Sequence, residues 1–145
     1  MKTNEMEPLA VFNQLYKKMD EIYHQYAKEH GISETTLWLL YSVYEDDAVY
    51  TQRELCAAWH YPPQTVNSIL KGLEKQEIIR LEAIPGNQKN KRIVLTEKGK
   101  QLTDQVIAPL YLAEQRSFQG LGKEEREALL SLTRKYVELL GKEVN

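Results

Sequence analysis

At 145 residues, with 42% hydrophobic and 28% charged side chains, the chain has the size and composition of one soluble domain and is short for a multi-domain enzyme. One cysteine excludes an internal disulfide. No apolar run approaches the roughly 18 residues that cross a bilayer, the polar N-terminus has no signal-peptide core, and the net charge of −2 excludes a uniformly basic chain, so a cytoplasmic protein without membrane contact is expected.

From Pro8 to about Glu29, Leu9, Phe12, Leu15, Tyr16, Met19, Ile22, Tyr23 and Tyr26 recur every three or four residues. That period predicts a long amphipathic helix, ended by Gly31. Ser33 then caps a second helix whose buried stripe is Leu37, Leu40, Tyr41 and Tyr44, with Trp38 beside it. Glu45-Asp46-Asp47 reads as a solvated loop.

The stretch from Thr51 to Trp59 has the signature of a short helix, with Thr51 as cap and Glu54 placed to complete a capping box. His60-Tyr61-Pro62-Pro63 breaks it, because proline fixes φ and lacks an amide hydrogen, yet proline suits the first turn of the helix that follows. That helix is expected from Pro63 to about Gln76. Val66, Ile69, Leu70 and Leu73 fall on one buried stripe. Gln64, Thr65, Asn67, Ser68 and Lys71 lie on the other side, a face of amides, hydroxyls and one cation that suits the acceptor-rich edges and phosphates of a major groove.

Residues 77–83 have strand composition, Ile84-Pro85-Gly86-Asn87 signals a turn, and Lys91–Leu95 is a second strand. Between them Asn87–Arg92 reads as a hairpin loop with three cations and no acid, placed to touch phosphate or a minor groove. Thr96 caps a long helix to about Gln119, with Leu102, Val106, Ile107, Leu110 and Tyr111 at helical spacing and Pro109 expected to kink it. After Gly120-Leu121-Gly122, a last helix runs from Lys123 to Leu140 with a wide apolar surface.

Charge is distributed unevenly along this order. Residues 1–70 hold five basic and ten acidic side chains, 71–100 hold eight and four, and 101–145 hold six and seven. Only the middle segment is net cationic, which is the local footprint that phosphate binding needs. The fold class expected is mainly α with a small β-hairpin wing: a winged helix-turn-helix lobe at 33–100, with residues 8–30 and 101–145 as dimerisation helices of one 145-residue domain. The terminal helices carry more apolar surface than the lobe can cover, and a second copy is the simplest cover. A two-fold dimer calls for an inverted-repeat duplex. The candidate DNA contacts are Thr51, Arg53, Pro63, Gln64, Thr65, Asn67, Ser68 and Lys71 from the helix-turn-helix, and Lys89, Lys91 and Arg92 from the wing.

The run from Glu54 to Arg80, followed by Val94-Leu95-Thr96-Glu97-Lys98-Gly99, resembles the MarR family of bacterial transcriptional regulators. The resemblance implies a homodimer joined through the N- and C-terminal helices, most often a repressor. It also implies a cleft for a small aromatic or phenolic effector, for which Tyr16, Tyr23, Trp38, Tyr41 and Tyr111 are the candidates. The sequence departs from the family pattern at named places. Asn87 and Lys89 stand where an Asp-x-Arg pair is usual, which predicts a more mobile wing with Lys91 or Arg92 left to compensate. Glu77 replaces a common helix-ending glycine, Pro62 a capping Ser or Thr, and Ser68 a frequent arginine.

Catalysis is not expected. His24, His30 and His60 lie in different elements, and there is neither a Gly-rich phosphate loop nor a glycine-flanked serine nucleophile. No cofactor or metal is expected either. Cys56 and His60, at i and i+4, could share a face for a metal or a redox function, but a small structural hydrophobe is the stronger reading of Cys56. The alternatives are a redox-responsive regulator using Cys56 and a winged-helix module that docks on protein without reading DNA.

Overall fold

The computed structural model describes residues 7–45 and 51–145. The rest of the acidic loop expected at 45–47, after Glu45, therefore lies outside the described residues, as does the N-terminal segment 1–6. Seven α-helices and one hairpin follow in order among the described residues. They are α1 (Pro8–Glu29), α2 (Glu34–Glu45), α3 (Gln52–Trp59), α4 (Pro63–Lys75), β1 (Ile79–Ile84), β2 (Asn87–Leu95), α5 (Glu97–Leu102), α6 (Ala108–Gln119) and α7 (Lys123–Val144). A π-helical turn, Thr103–Ile107, separates α5 from α6. The chain divides into two compact units, one ending at Ile107 and one covering Ala108–Asn145.

The first unit is built around Leu37, Leu39 and Leu40 of α2, Leu55 of α3, Val66, Leu70 and Leu73 of α4, and Ile78, Ile79 and Ile93 around the hairpin, all buried. The stripe expected on α4 is present, with Ile69 half-buried at its edge. On α2 the expectation needs correcting: Leu39 is fully buried, while Tyr41 and Tyr44 are only half-buried. A helix with neighbours on several sides has no single apolar stripe for sequence periodicity to report. Here α1, α4 and the π turn all contact α2.

The expected kink at Pro109 takes a different form. The irregularity is the π turn just upstream, buried at Thr103, Val106 and Ile107. A proline ring crowds the carbonyl four residues earlier, and a wider turn there relieves the crowding. The Thr103 hydroxyl donates to the Gly99 carbonyl at 2.8 Å, a back-bond that also bends helices. The Val106 carbonyl accepts the Tyr26 hydroxyl of α1 at 2.5 Å. Burial raises the Tyr26 phenol above its ordinary value of 10.0. A raised pKa means that this bond contributes fully at neutral pH and is lost only as pH rises through the alkaline range.

The hairpin also differs from expectation. β2 begins at Asn87, so most of the supposed cationic loop is strand and the turn is only Pro85-Gly86, with Gly86 at φ +81°. The register pairs Ala83 with Lys91 and Ile84 with Asn87, which leaves residues 88–90 as a bulge on β2. Polar side chains hid this strand, because strand propensity reports a half-buried pleat and a wing tip is solvated.

Glu77, between α4 and β1, has φ +63°, the left-handed conformation that disfavours a Cβ. Its exposed carboxylate accounts for none of that strain. Glu77→Gly should therefore raise stability by about 0.5–1 kcal/mol, read as an increase in thermal midpoint of a few degrees. An unchanged or lower midpoint would contradict the strain argument.

Candidate nucleic-acid interface

α3 and α4 meet across a tight turn. Thr51 caps α3 as expected, its hydroxyl oxygen accepting the Glu54 amide at 3.2 Å. His60 closes α3 in the left-handed conformation, φ +55°. That conformation takes His60 out of the helix, so the i, i+4 relation to Cys56 no longer places the two on one helical face. Among the described residues, no group of three or more His, Cys, Asp or Glu side chains is arranged to hold a metal.

α4 starts at Pro63, and the Pro62 carbonyl accepts the amides of Thr65 and Val66 at 3.0 and 3.2 Å. No side chain caps the helix. Proline at the first position removes one orphan amide by having none. Gln64, Thr65, Asn67, Ser68 and Lys71 are all exposed, as is Pro63. The structure thus gathers the expected reading face on one side of α4, with no acidic side chain in its first turn.

A cleft of about 400 Å³ lies between this face, α3 and the wing bulge. Arg53, Gln64, Asn67 and Lys89 line it, together with Gln52, Cys56 and Asn90. Cations from two elements therefore face one groove edged by amide side chains. Gln52 Nε2 donates to Asn67 Oδ1 at 3.4 Å, an exposed bond between two of these lining residues. Cys56 is a free, half-buried thiol, more accessible than a core hydrophobe would be.

The wing cations do not act as one loop. Lys91 stands opposite Ala83 and Arg92 opposite Glu82, and adjacent strand residues point to opposite faces. Lys91 shares its face with Ile93, whereas Arg92 has an acid directly across the ladder. Thr51 is half-buried with its oxygen engaged in the cap, and its backbone bridges to Arg92. Asn90, which the sequence reading passed over, accepts the Arg53 amide at 3.2 Å. The only signal for it was an amide residue in a cationic tip.

The Leu95-Thr96-Glu97-Lys98-Gly99 motif is a joint. The Thr96 oxygen accepts the Gly99 amide at 3.0 Å, while its hydroxyl hydrogen points at the Glu77 and Ile78 carbonyls. Lys98 Nζ donates to the Gln76 carbonyl at 3.0 Å. The motif thus ties the start of α5 to the chain between α4 and β1, at the base of the wing.

Of the five aromatic candidates for an effector cleft, three come together. Tyr23 and Trp38 have ring centroids 4.9 Å apart, and Trp38 and Tyr41 5.5 Å. Tyr16 is exposed, seven residues and so about 10 Å along α1 from Tyr23. Tyr111 belongs to the second unit.

Residues 30–89 match the model of the MarR family. The chain is 27% identical over 123 residues to the HTH-type transcriptional repressor NicR of Pseudomonas putida, an alignment covering 85% of this chain and 77% of that protein. Its structure is similar to that of S. aureus MepR in a DNA complex, with a TM-score of 0.75 and 22% identity over 94% of this chain and 99% of that one. A MarR-family regulator from Listeria monocytogenes, complexed with a 26mer DNA, gives a TM-score of 0.72 and 22% identity over 96% and 92%. At this identity the structural likeness shows a shared winged-helix fold. Among the described residues, no helix is long and apolar enough to cross a membrane.

Proposed function

We propose, since this chain belongs to the MarR family of transcriptional regulators, that it acts as a cytoplasmic homodimer binding an inverted-repeat duplex to repress transcription, and that it is not an enzyme. The observation that carries this reading is the exposed, acid-free start of α4, facing a groove lined by Arg53 of α3 and Lys89 of the wing. Amide and hydroxyl side chains there can donate to base edges while the two cations neutralise phosphates.

The likeness to MepR and to the Listeria protein, both in DNA complexes, supports DNA as the partner, and the likeness to NicR supports repression. The dimer rests on exposed apolar surface. Leu9, Phe12, Leu15, Met19 and Ile22 on α1, and Leu129, Leu132, Tyr136, Leu139 and Leu140 on α7, are all exposed in the single chain. Stripes of this size on terminal helices call for burial against a second copy. Release of DNA by a small aromatic or phenolic effector rests on the Tyr23–Trp38–Tyr41 cluster. Such a ligand acts only if it binds one spacing of the two reading helices better than another.

Selection of bound sequences from a random duplex pool should enrich an inverted repeat that binds two protomers. A pool that stays random would favour a protein-docking winged helix instead. Peroxide that released DNA from the wild type but not from Cys56→Ser would add redox control at the cleft.

A further inference from the structure

We propose that Asn90 is a positioning residue: its side-chain carbonyl caps α3 from the wing and thereby holds Lys89 against the reading face. Two asparagines form a relay. Asn87 Oδ1 accepts the Asn90 amide at 3.2 Å and closes the bulge, and Asn90 Oδ1 accepts the Arg53 amide at 3.2 Å. Both donors are backbone N–H groups, so the orientation of each side-chain amide is fixed by its partner. Thr51 already serves the Glu54 amide. The first turn of α3 is thus capped once from its own chain end and once from a residue 37 positions away.

Arg53 and its bond to Asn90 are exposed, so water could satisfy the same amide and the bond adds little to folding. What water cannot supply is a fixed separation between wing and α3. Lys89 sits inside the bulge, between the two relay residues, and lines the groove with Arg53, Gln64 and Asn67. A cation already held in place loses less freedom on meeting a phosphate. The relay uses Asn87, one of the two positions at which the wing lacks the Asp-x-Arg pair, and brackets the other, Lys89. The assignment of a phosphate to Lys89 rests on the function proposed above, whereas the tether itself does not.

The test uses the full chain, amide hydrogen exchange of the free protein, and salt-dependent binding to a mixed-sequence duplex. Asn90→Ala should speed exchange at Arg53 by about tenfold or more while Ile79 and Ile93 keep their protection. Asn90→Asp keeps the acceptor and should restore protection at Arg53. On the duplex, Asn90→Ala should lower the salt slope by about one, as Lys89→Ala does, and the double variant should lose nothing further. Asn90→Ser, too short to reach Arg53, should behave like alanine. Unchanged exchange at Arg53 in Asn90→Ala would overturn the tether. Additive losses in the double variant would overturn its action through Lys89. A wild type that ignores duplex would sink the proposed function, and the exchange at Arg53 would still decide the tether.

Discussion

Gly99→Ala should destabilise the first unit by about 3 kcal/mol or more, enough to lower the thermal midpoint by roughly 10 °C. A Cβ built at Gly99 lies 2.1 Å from the Ile78 carbonyl oxygen and 3.2 Å from both its carbon and Leu95 Cδ2. The obstacle is backbone, so no rotamer change relieves it. That same carbonyl accepts the Thr96 amide at 3.1 Å and faces the Thr96 hydroxyl. Moving it breaks the joint between α5 and the chain leading from α4 into β1. Denaturant titration should show a lower midpoint with an unchanged slope, the sign of lost stability without a change in the exposed surface. A loss below about 1 kcal/mol would mean that Ile78 can retreat, and that the joint is looser than its bonds imply.

The second large effect concerns the apolar stripe of α7. Leu132 and Leu139 stand seven residues apart on one face and are 65% and 51% exposed in the single chain. In a two-fold interface each would be buried twice, at roughly 1.5–3 kcal/mol per leucine. Leu132→Asp/Leu139→Asp would replace that gain with four carboxylates desolvated without partners. Sedimentation should show a folded monomer at micromolar concentration. Affinity for an inverted-repeat duplex should fall by about 100-fold or more, because the second half-site no longer binds as part of one molecule. A variant that remains dimeric would place the interface elsewhere.

Much of the fold was legible because single residues announce chain breaks. Pro8 and Gly31 bracket α1, and Thr51, the Pro62-Pro63 pair and Thr96 mark later starts at the residues where the structure has them. Patterns that depend on a one-sided environment were less reliable. Leu39 is buried because α2 has neighbours on several sides, and the polar start of β2 pairs although it looks like loop. Backbone state was invisible at Glu77, since a left-handed residue other than glycine leaves no compositional trace.

The site divides in the same way. The exposed polar face of α4 follows from helical period alone, so Gln64, Thr65, Asn67, Ser68 and Lys71 could be placed together from sequence. The groove opposite them could not. It depends on contact between Arg53 and Asn90 across 37 residues, and on a bulge at residues 88–90 that carries Lys89 to the groove. Missing the Asp-x-Arg pair, the sequence suggested a wing without a tether; the asparagine relay is long-range and specific to these side chains.

The most direct test of the central claim, that α4 of a two-fold dimer reads the operator, is per-position sequence preference from a random duplex pool, measured for the wild type, Gln64→Ala and Asn67→Ala. The wild type should yield two inverted half-sites. Each variant should erase preference at one position in both half-sites, at about 1–3 kcal/mol per lost contact. Preference that survives both substitutions unchanged, or that falls in a single unrepeated site, would contradict it.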